Sequence, residues 1–251
     1  STGGYMSLPL CLASKILNIK LFLFEPNMVL GRSNKFFIKS CKKIFCYSSK
    51  IKNFPNKYVN KIYVIPALLR KKFYEVRKTE SINDSIKLLV IGGSQGAEIF
   101  DMLIKTLAVE LSKKYSLKIY QQTNMINFEE LKKFYINHNI NHELFDFNKD
   151  ISNLMSRSNL CLTRAGASTL AELVFLNLPF VAIPLPTSKD NHQFENALFY
   201  KEIGCNWILN QNEINDESIV NKLVNIIDNK DEFLVKKINM KNFSYQNTWN
   251  D

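Results

Sequence analysis

The residues best placed to do chemistry stand together in Thr163-Arg164-Ala165-Gly166-Ala167-Ser168-Thr169-Leu170-Ala171-Glu172. The apolar run at 159–162 before them reads as a buried strand, and Leu173-Val174-Phe175-Leu176 after them continues a helical pattern. The chain therefore leaves a strand, turns on small residues and opens a helix. Unbonded N–H groups and the helix dipole put partial positive charge at such a start. Ala165, Gly166, Ala167 and Ser168 carry little bulk, so a phosphate can approach their amides closely. Glu172 lies about one turn inside, too far in to cap those amides and suited to accepting hydrogen bonds from a sugar's hydroxyls. An ordinary strand–turn–helix with a solvated glutamate fits the same residues equally well.

Two more segments share this context. Gly92-Gly93-Ser94-Gln95-Gly96-Ala97 follows the apolar run Lys87-Leu88-Leu89-Val90-Ile91. It is neither G-x-G-x-x-G nor the Walker pattern, which argues against a dinucleotide site or a P-loop ATPase. Pro184-Leu185-Pro186-Thr187-Ser188-Lys189-Asp190-Asn191-His192-Gln193 is a polar loop entering a helix that carries Asn196-Ala197-Leu198. Its histidine and amides suit hydroxyl and amide recognition, and Asp190 or Asn191 can serve as an N-cap. In an open α/β sheet ligands bind at the carboxyl ends of strands. The three loops should therefore open on one edge and line one cleft.

The elements that must position them alternate steadily. Strands are expected near 87–92, 117–121, 144–147, 159–163, 180–185 and 205–209, and helices near 97–113, 127–137, 150–157, 168–176, 190–203 and 216–228. Apolar strands alternating with helices argue for a parallel sheet covered on both faces. Upstream, helices near 10–17 (face Leu10, Ala13, Leu17) and 33–40, with strands near 20–25, 44–47 and 61–65, are too few to close a doubly wound domain. A linker falls near 67–72, after Pro66.

Composition sets limits. The chain has 251 residues, 46% hydrophobic and 12% aromatic, enough for a core and against wholesale disorder. Its net charge of +10 favours phosphates, acidic lipid or nucleic acid, although Lys, Asn and Ile abound throughout. Cys11, Cys41, Cys46, Cys161 and Cys205 are odd in number and form no C-x-x-C, as expected of reduced, buried thiols. His138 and His142 are spaced i, i+4 without a third ligand, which reads as a surface helix rather than zinc. No apolar run reaches the ~18 residues of a membrane span.

Five separated motifs, in order, resemble the peptidoglycan glycosyltransferases that make lipid II. They are Thr2-Gly3-Gly4-Tyr5 with Pro9; Glu25-Pro26-Asn27 with Gly31; the Gly92 loop; Arg164-Ala165-Gly166-Ala167 through Glu172; and Lys189-Asp190 with Gln193, Asn196 and Ala197. The resemblance implies an α/β protein of two Rossmann-like domains facing a cleft, the GT-B architecture. It places a partial first domain at 1–68, the donor domain at 69–235 and a C-terminal helical segment, returning to the first domain, at 236–251. It implies inverting transfer of N-acetylglucosamine from UDP-N-acetylglucosamine to undecaprenyl-pyrophosphoryl-N-acetylmuramoyl-pentapeptide. No cofactor, metal or nucleic acid is implied. The expected place is peripheral, on an anionic membrane surface at the cytoplasmic face of the bacterial inner membrane. Lys35, Phe36, Phe37, Lys39, Lys42 and Lys43 would supply the contact, unless both phenylalanines belong to the core.

The site residues implied by the resemblance are these. Asn27 meets the donor's acetylglucosamine, Arg70 the diphosphate, and Asn148 the uracil through its backbone. Gly92, Gly93, Ser94, Gln95 and Gly96 form the phosphate loop. Ala167, Ser168, Thr169, Leu170 and Ala171 form the helix start under the phosphates, Glu172 binds the ribose, and Gln193 with His192 faces the sugar. The family's Gly-Asn-Pro before its arginine is replaced by Ile65-Pro66-Ala67-Leu68-Leu69. Its opening glycine loop with a histidine is expected upstream of Ser1, so no catalytic base is assigned and donor binding without transfer is expected. Alternatives are another GT-B UDP-sugar transferase acting on a lipid acceptor, a donor-binding fragment without catalysis, and, on charge alone, a nucleic-acid-binding protein.

Overall fold

The computed structural model describes the chain except residues 5, 77–84, 93–96 and 244–251. In its first part β1 (Phe22–Glu25), β2 (Lys43–Cys46) and β3 (Ile62–Val64) form a parallel sheet in that order. β1 alternates, with Leu23 and Glu25 inward and Phe22 outward, as a half-covered strand must. α1 (Ser7–Ile16) buries Ser7 and Cys11. The Leu10-Ala13-Leu17 face is turned outward, with Leu10 72% and Leu17 68% exposed. α2 (Arg32–Phe37) splits its aromatic pair, Phe36 at 70% exposure and Phe37 at 1%. Beyond α2, Lys61 Nζ donates to the carbonyls of Ile38, Lys39 and Cys41 at 2.9, 2.9 and 2.7 Å.

α3 (Lys72–Glu75) leads into a second sheet. Its strands are β4 (Ser85–Ile91), β5 (Ser116–Gln122), β6 (Asn141–Phe145), β7 (Leu160–Thr163), β8 (Phe180–Ala182) and β9 (Asn206–Ile208). They lie in the order β6-β5-β4-β7-β8-β9, all parallel. The helices between them are α4 (Ala97–Lys114), α5 (Phe128–Asn137), α6 (Ile151–Arg157), α7 (Ala167–Phe175) and α8 (His192–Glu202); α9 (Asp216–Asp228) and α10 (Lys230–Asn242) follow. The doubly wound parallel sheet expected from the alternation is what forms. β7 is buried at every residue, as a central strand covered on both faces requires.

The sheet divides the core in two. Leu88, Val90 and Leu162 pack with Phe100, Ile104, Leu131, Ile219 and Leu223. Leu89, Ile91 and Cys161 face the other way and share one core with α7, α8 and first-part residues including Leu23, Phe37 and Ile44. That shared core holds the two sheets together. All five cysteines are buried and unpaired.

Several boundaries differ from expectation, three of them with a clear local cause. β6 starts at Asn141, not 144, because Asn139 adopts φ 54° and Ile140 N bonds back to Tyr135 O, ending α5. His138 therefore closes α5 while His142 sits in β6, so they share no helix face; each Nδ1 pairs with a backbone carbonyl at 2.9 Å. The helix expected over 190–203 is α8 preceded by a 3-10 turn at Lys189–Asn191, where Asp190 and Asn191 take φ 52° and 55°. Neither caps α8 with its side chain. β8 stops at Ala182, since the prolines at 184 and 186 cannot continue the ladder.

Candidate active site

β4 and β7 are neighbours from which the chain winds to opposite sides, which leaves a crevice at their carboxyl ends. A cavity of about 420 Å³ opens there, with Arg70, Gly92, Asn148, Gly166, Glu172 and Gln193 in its wall. Gly92, Gly166, Leu185 and Gln193, from the three segments expected to share one edge, thus line one cleft. Gly93, Ser94, Gln95 and Gly96 lie outside the described residues.

The start of α7 faces this cavity through Gly166 and Thr169. Its first intrahelical bond is Leu170 N to Gly166 O at 3.0 Å, so the amides of Ala167, Ser168 and Thr169 precede the ladder, and no side chain caps them. Those amides and the dipole favour an anion. Leu170 and Ala171 are fully buried, so their side chains seat the helix on the core. Glu172, one turn on, is buried rather than solvated. Arg70 donates to its Oε1 from both Nε and Nη2, each at 2.9 Å.

Burial pushes the Glu172 carboxyl above its ordinary value, and Arg70 pulls it back only in part. Protonation of Glu172 therefore favours the folded chain. That contribution is fully present below the ordinary glutamate value and is lost as pH rises through the raised one. The residues assigned to diphosphate and to ribose thus satisfy each other in the absence of a ligand, and a diphosphate would compete for Arg70.

Asn27 is not among the residues that line this cavity and belongs to a second network. Glu25, 3% exposed, accepts from Asn27 N at 3.3 Å, Asn27 Nδ2 at 3.1 Å, Gly31 N at 2.8 Å and Asn34 Nδ2 at 2.9 Å. A Cβ on Gly31 would stand 3.1 Å from Glu25 Oε2, so a larger residue there would require the carboxylate to shift by a few tenths of an ångström. Asn196 on α8 reaches across from the second sheet: its Oδ1 accepts from Met28 N at 2.9 Å, and its Nδ2 donates to Asn27 Oδ1 and Ala165 O, each at 3.1 Å. Arg32 with Asp190, and Lys52 with Glu195, add ion pairs between the same parts.

Gln193 lines the cavity, and its Oε1 accepts from Leu185 N at 2.9 Å and Ala165 N at 3.3 Å, which leaves its amide nitrogen for a ligand. His192 is outside the cavity wall, with Nδ1 2.8 Å from Lys189 O. Asn148 Oδ1 accepts from Asp150 N at 2.7 Å, which ties its side chain into the turn before α6.

Sequence reasoning passed over four residues as site members. Phe147, 77% exposed, lines the cavity beside Asn148 and offers a flat apolar face. Its signal was an aromatic one position from the residue assigned to uracil. Arg164 and Gln122 also line the cavity. Asn196 stands four positions after His192, about one helical turn on, and this spacing was its signal.

The glycosyltransferase family 28 C-terminal domain matches residues 87–247, the second sheet and its helices. Over all 251 residues the chain is 66% identical to the UDP-N-acetylglucosamine–N-acetylmuramyl-(pentapeptide) pyrophosphoryl-undecaprenol N-acetylglucosamine transferase of Pelagibacter ubique (strain HTCC1062), spanning 70% of that protein. It is 33% identical over 234 residues to the enzyme of the same name from Rickettsia bellii (strain RML369-C), covering 90% of this chain and 66% of that one. The crystal structure of Acinetobacter baumannii MurG aligns with a TM-score of 0.78 at 25% identity, over 98% of this chain and 70% of that chain. A GT-B fold, a donor-domain match and this level of identity leave one assignment: the chain belongs to the UDP-N-acetylglucosamine-dependent, lipid II-forming glycosyltransferases of family 28.

Proposed function

We propose that this chain supplies the donor site for transfer of N-acetylglucosamine from UDP-N-acetylglucosamine to undecaprenyl-pyrophosphoryl-N-acetylmuramoyl-pentapeptide, with inversion at the sugar. The observation that carries the reading is the uncapped start of α7 opening into the cavity, with Glu172 one turn further in. Uracil lies against Phe147 and the Asn148 backbone, and ribose hydroxyls bond to Glu172. The diphosphate takes the amides of Ala167, Ser168 and Thr169 together with Arg70 and Ser94. The sugar faces Asn27 and Gln193. The acceptor's 4-hydroxyl attacks the anomeric carbon as UDP leaves, and the helix-start amides with Arg70 stabilise the charge growing on the leaving diphosphate. Saturable binding of UDP-N-acetylglucosamine in preference to UDP-glucose is the expected result; binding of neither would contradict the donor reading.

The lipid-linked acceptor places the chain at the cytoplasmic face of the bacterial inner membrane as a peripheral protein. No helix among the described residues is long and apolar enough to cross a membrane. Exposed Phe36, with Lys35, Lys39, Lys42 and Lys43 exposed around it, supports attraction to anionic lipid with shallow insertion. The protein is expected to sediment with anionic vesicles and to stay in solution with neutral ones. Equal binding to both, or to neither, would contradict this.

A further inference from the structure

Arg164 joins β7 to α7, lines the cavity and is only 7% exposed. Its Nη1 donates to Ile183 O at 2.9 Å, and its guanidinium carbon lies 5.4 Å from the centre of the Phe100 ring. Its Nε is buried and has no acceptor among the described residues. Among the described residues no carboxylate forms an ion pair with it. Burial accordingly pulls its pKa down. Arg70 is the reverse case: its side chain is 56% exposed, and it has a carboxylate partner.

An uncompensated buried cation is costly to a fold, because water is stripped from it and nothing replaces that hydration. A protein built for stability alone would place an apolar residue beside Phe100. Here the cation adjoins a helix start whose first three amides are also uncapped. Two separate sources of positive potential therefore converge on the wall formed by Gly166 and Thr169. Among the described residues neither forms an ion pair with a negative group.

We infer that Arg164 is a positioning residue of the donor site, a buried guanidinium held without a counter-charge so that a nucleoside diphosphate supplies it. The inference rests on the donor reading and extends it. Uridine recognition belongs to Phe147, Asn148 and Glu172, whereas Arg164 acts on the phosphates. Its removal should separate the two.

The test compares the parent chain with Arg164→Met and Arg164→Lys, reading the affinity for UDP and for uridine, and the melting temperature without ligand. In Arg164→Met the affinity for UDP should fall about 10- to 100-fold, the range of a lost charge-assisted contact. Uridine affinity should stay unchanged, and the ligand-free protein should melt at the parent temperature or above it. Arg164→Lys, which keeps the charge, should hold most of the preference for UDP over uridine. Parallel weakening of UDP and uridine, unchanged UDP affinity, or a lower ligand-free melting temperature in Arg164→Met would each overturn the inference. The last of these would make Arg164 a support of the fold. Failure of the parent chain to bind UDP would instead sink the donor reading itself, a result distinguishable from all the others.

Discussion

Glu172→Ala is expected to weaken UDP binding by roughly 10- to 150-fold while leaving the fold as stable as before. The loss corresponds to about 1.5–3 kcal/mol for a hydrogen bond to a charged group. Stability should hold because the carboxylate removed is one whose burial disfavours its charge. Its partner Arg70 is 56% exposed and returns to water when released. The parent protein should carry an acid limb with the same origin. UDP affinity should fall on acidification as Glu172 takes up a proton, beginning above the ordinary value of 4.5 because burial raises this carboxyl. Calorimetric titration of both proteins across pH checks the two points together. Unchanged UDP affinity in a folded Glu172→Ala protein would show that the ribose assignment is wrong.

The second large effect concerns Glu25. Its two oxygens accept four hydrogen bonds that shape the loop carrying Asn27, and it is 3% exposed. Glu25→Ala leaves those donors unmatched in a buried place, at a cost of about 2–4 kcal/mol. Glu25→Gln should cost nearly as much, although its shape is almost the same. Each carboxylate oxygen faces two N–H donors, so the amide nitrogen, wherever it lies, points hydrogens at hydrogens. Thermal melts of both variants test this. A glutamine variant as stable as the parent would mean that the site needs bulk rather than two acceptors. In Glu25→Ala Asn27 also loses a bond that orients its side chain, so UDP-N-acetylglucosamine should lose its advantage over UDP.

Much of this arrangement could be read from residue order. Strand–turn–helix transitions leave strong local marks, such as the apolar run at 160–162, the small residues at 165–168 and the amphipathic pattern beyond. Those marks located β4, β7 and α7 and placed the Gly92, Gly166 and 184–193 loops on one edge. Boundaries decided by one backbone angle were harder to read. The helix end near 137 was legible, but Asn139 turns the chain by adopting a left-handed conformation, so β6 begins at Asn141 rather than 144 and His142 belongs to a strand instead of a helix shared with His138. Pairings between distant residues were beyond reach. Nothing local says that Arg70 meets Glu172, 102 positions away, or that Asn196 meets Asn27, 169 positions away. Both follow from the packing of two sheets on one core. Arg164 was quoted as part of a motif and given no role, because the absence of a partner is a property of the fold.

The central claim is that the cavity at the carboxyl ends of β4 and β7 is a UDP-N-acetylglucosamine site. The most direct test is calorimetric titration of the 251-residue chain with UDP-N-acetylglucosamine, UDP-glucose and a random-sequence oligonucleotide under one set of conditions. The predicted result is saturable one-to-one binding of UDP-N-acetylglucosamine, weaker binding of UDP-glucose, and no more than salt-sensitive, non-saturating heat from the oligonucleotide. Equal affinity for the two sugar nucleotides would contradict the role of Asn27 and Gln193. Saturable binding of the oligonucleotide alone would contradict the account as a whole.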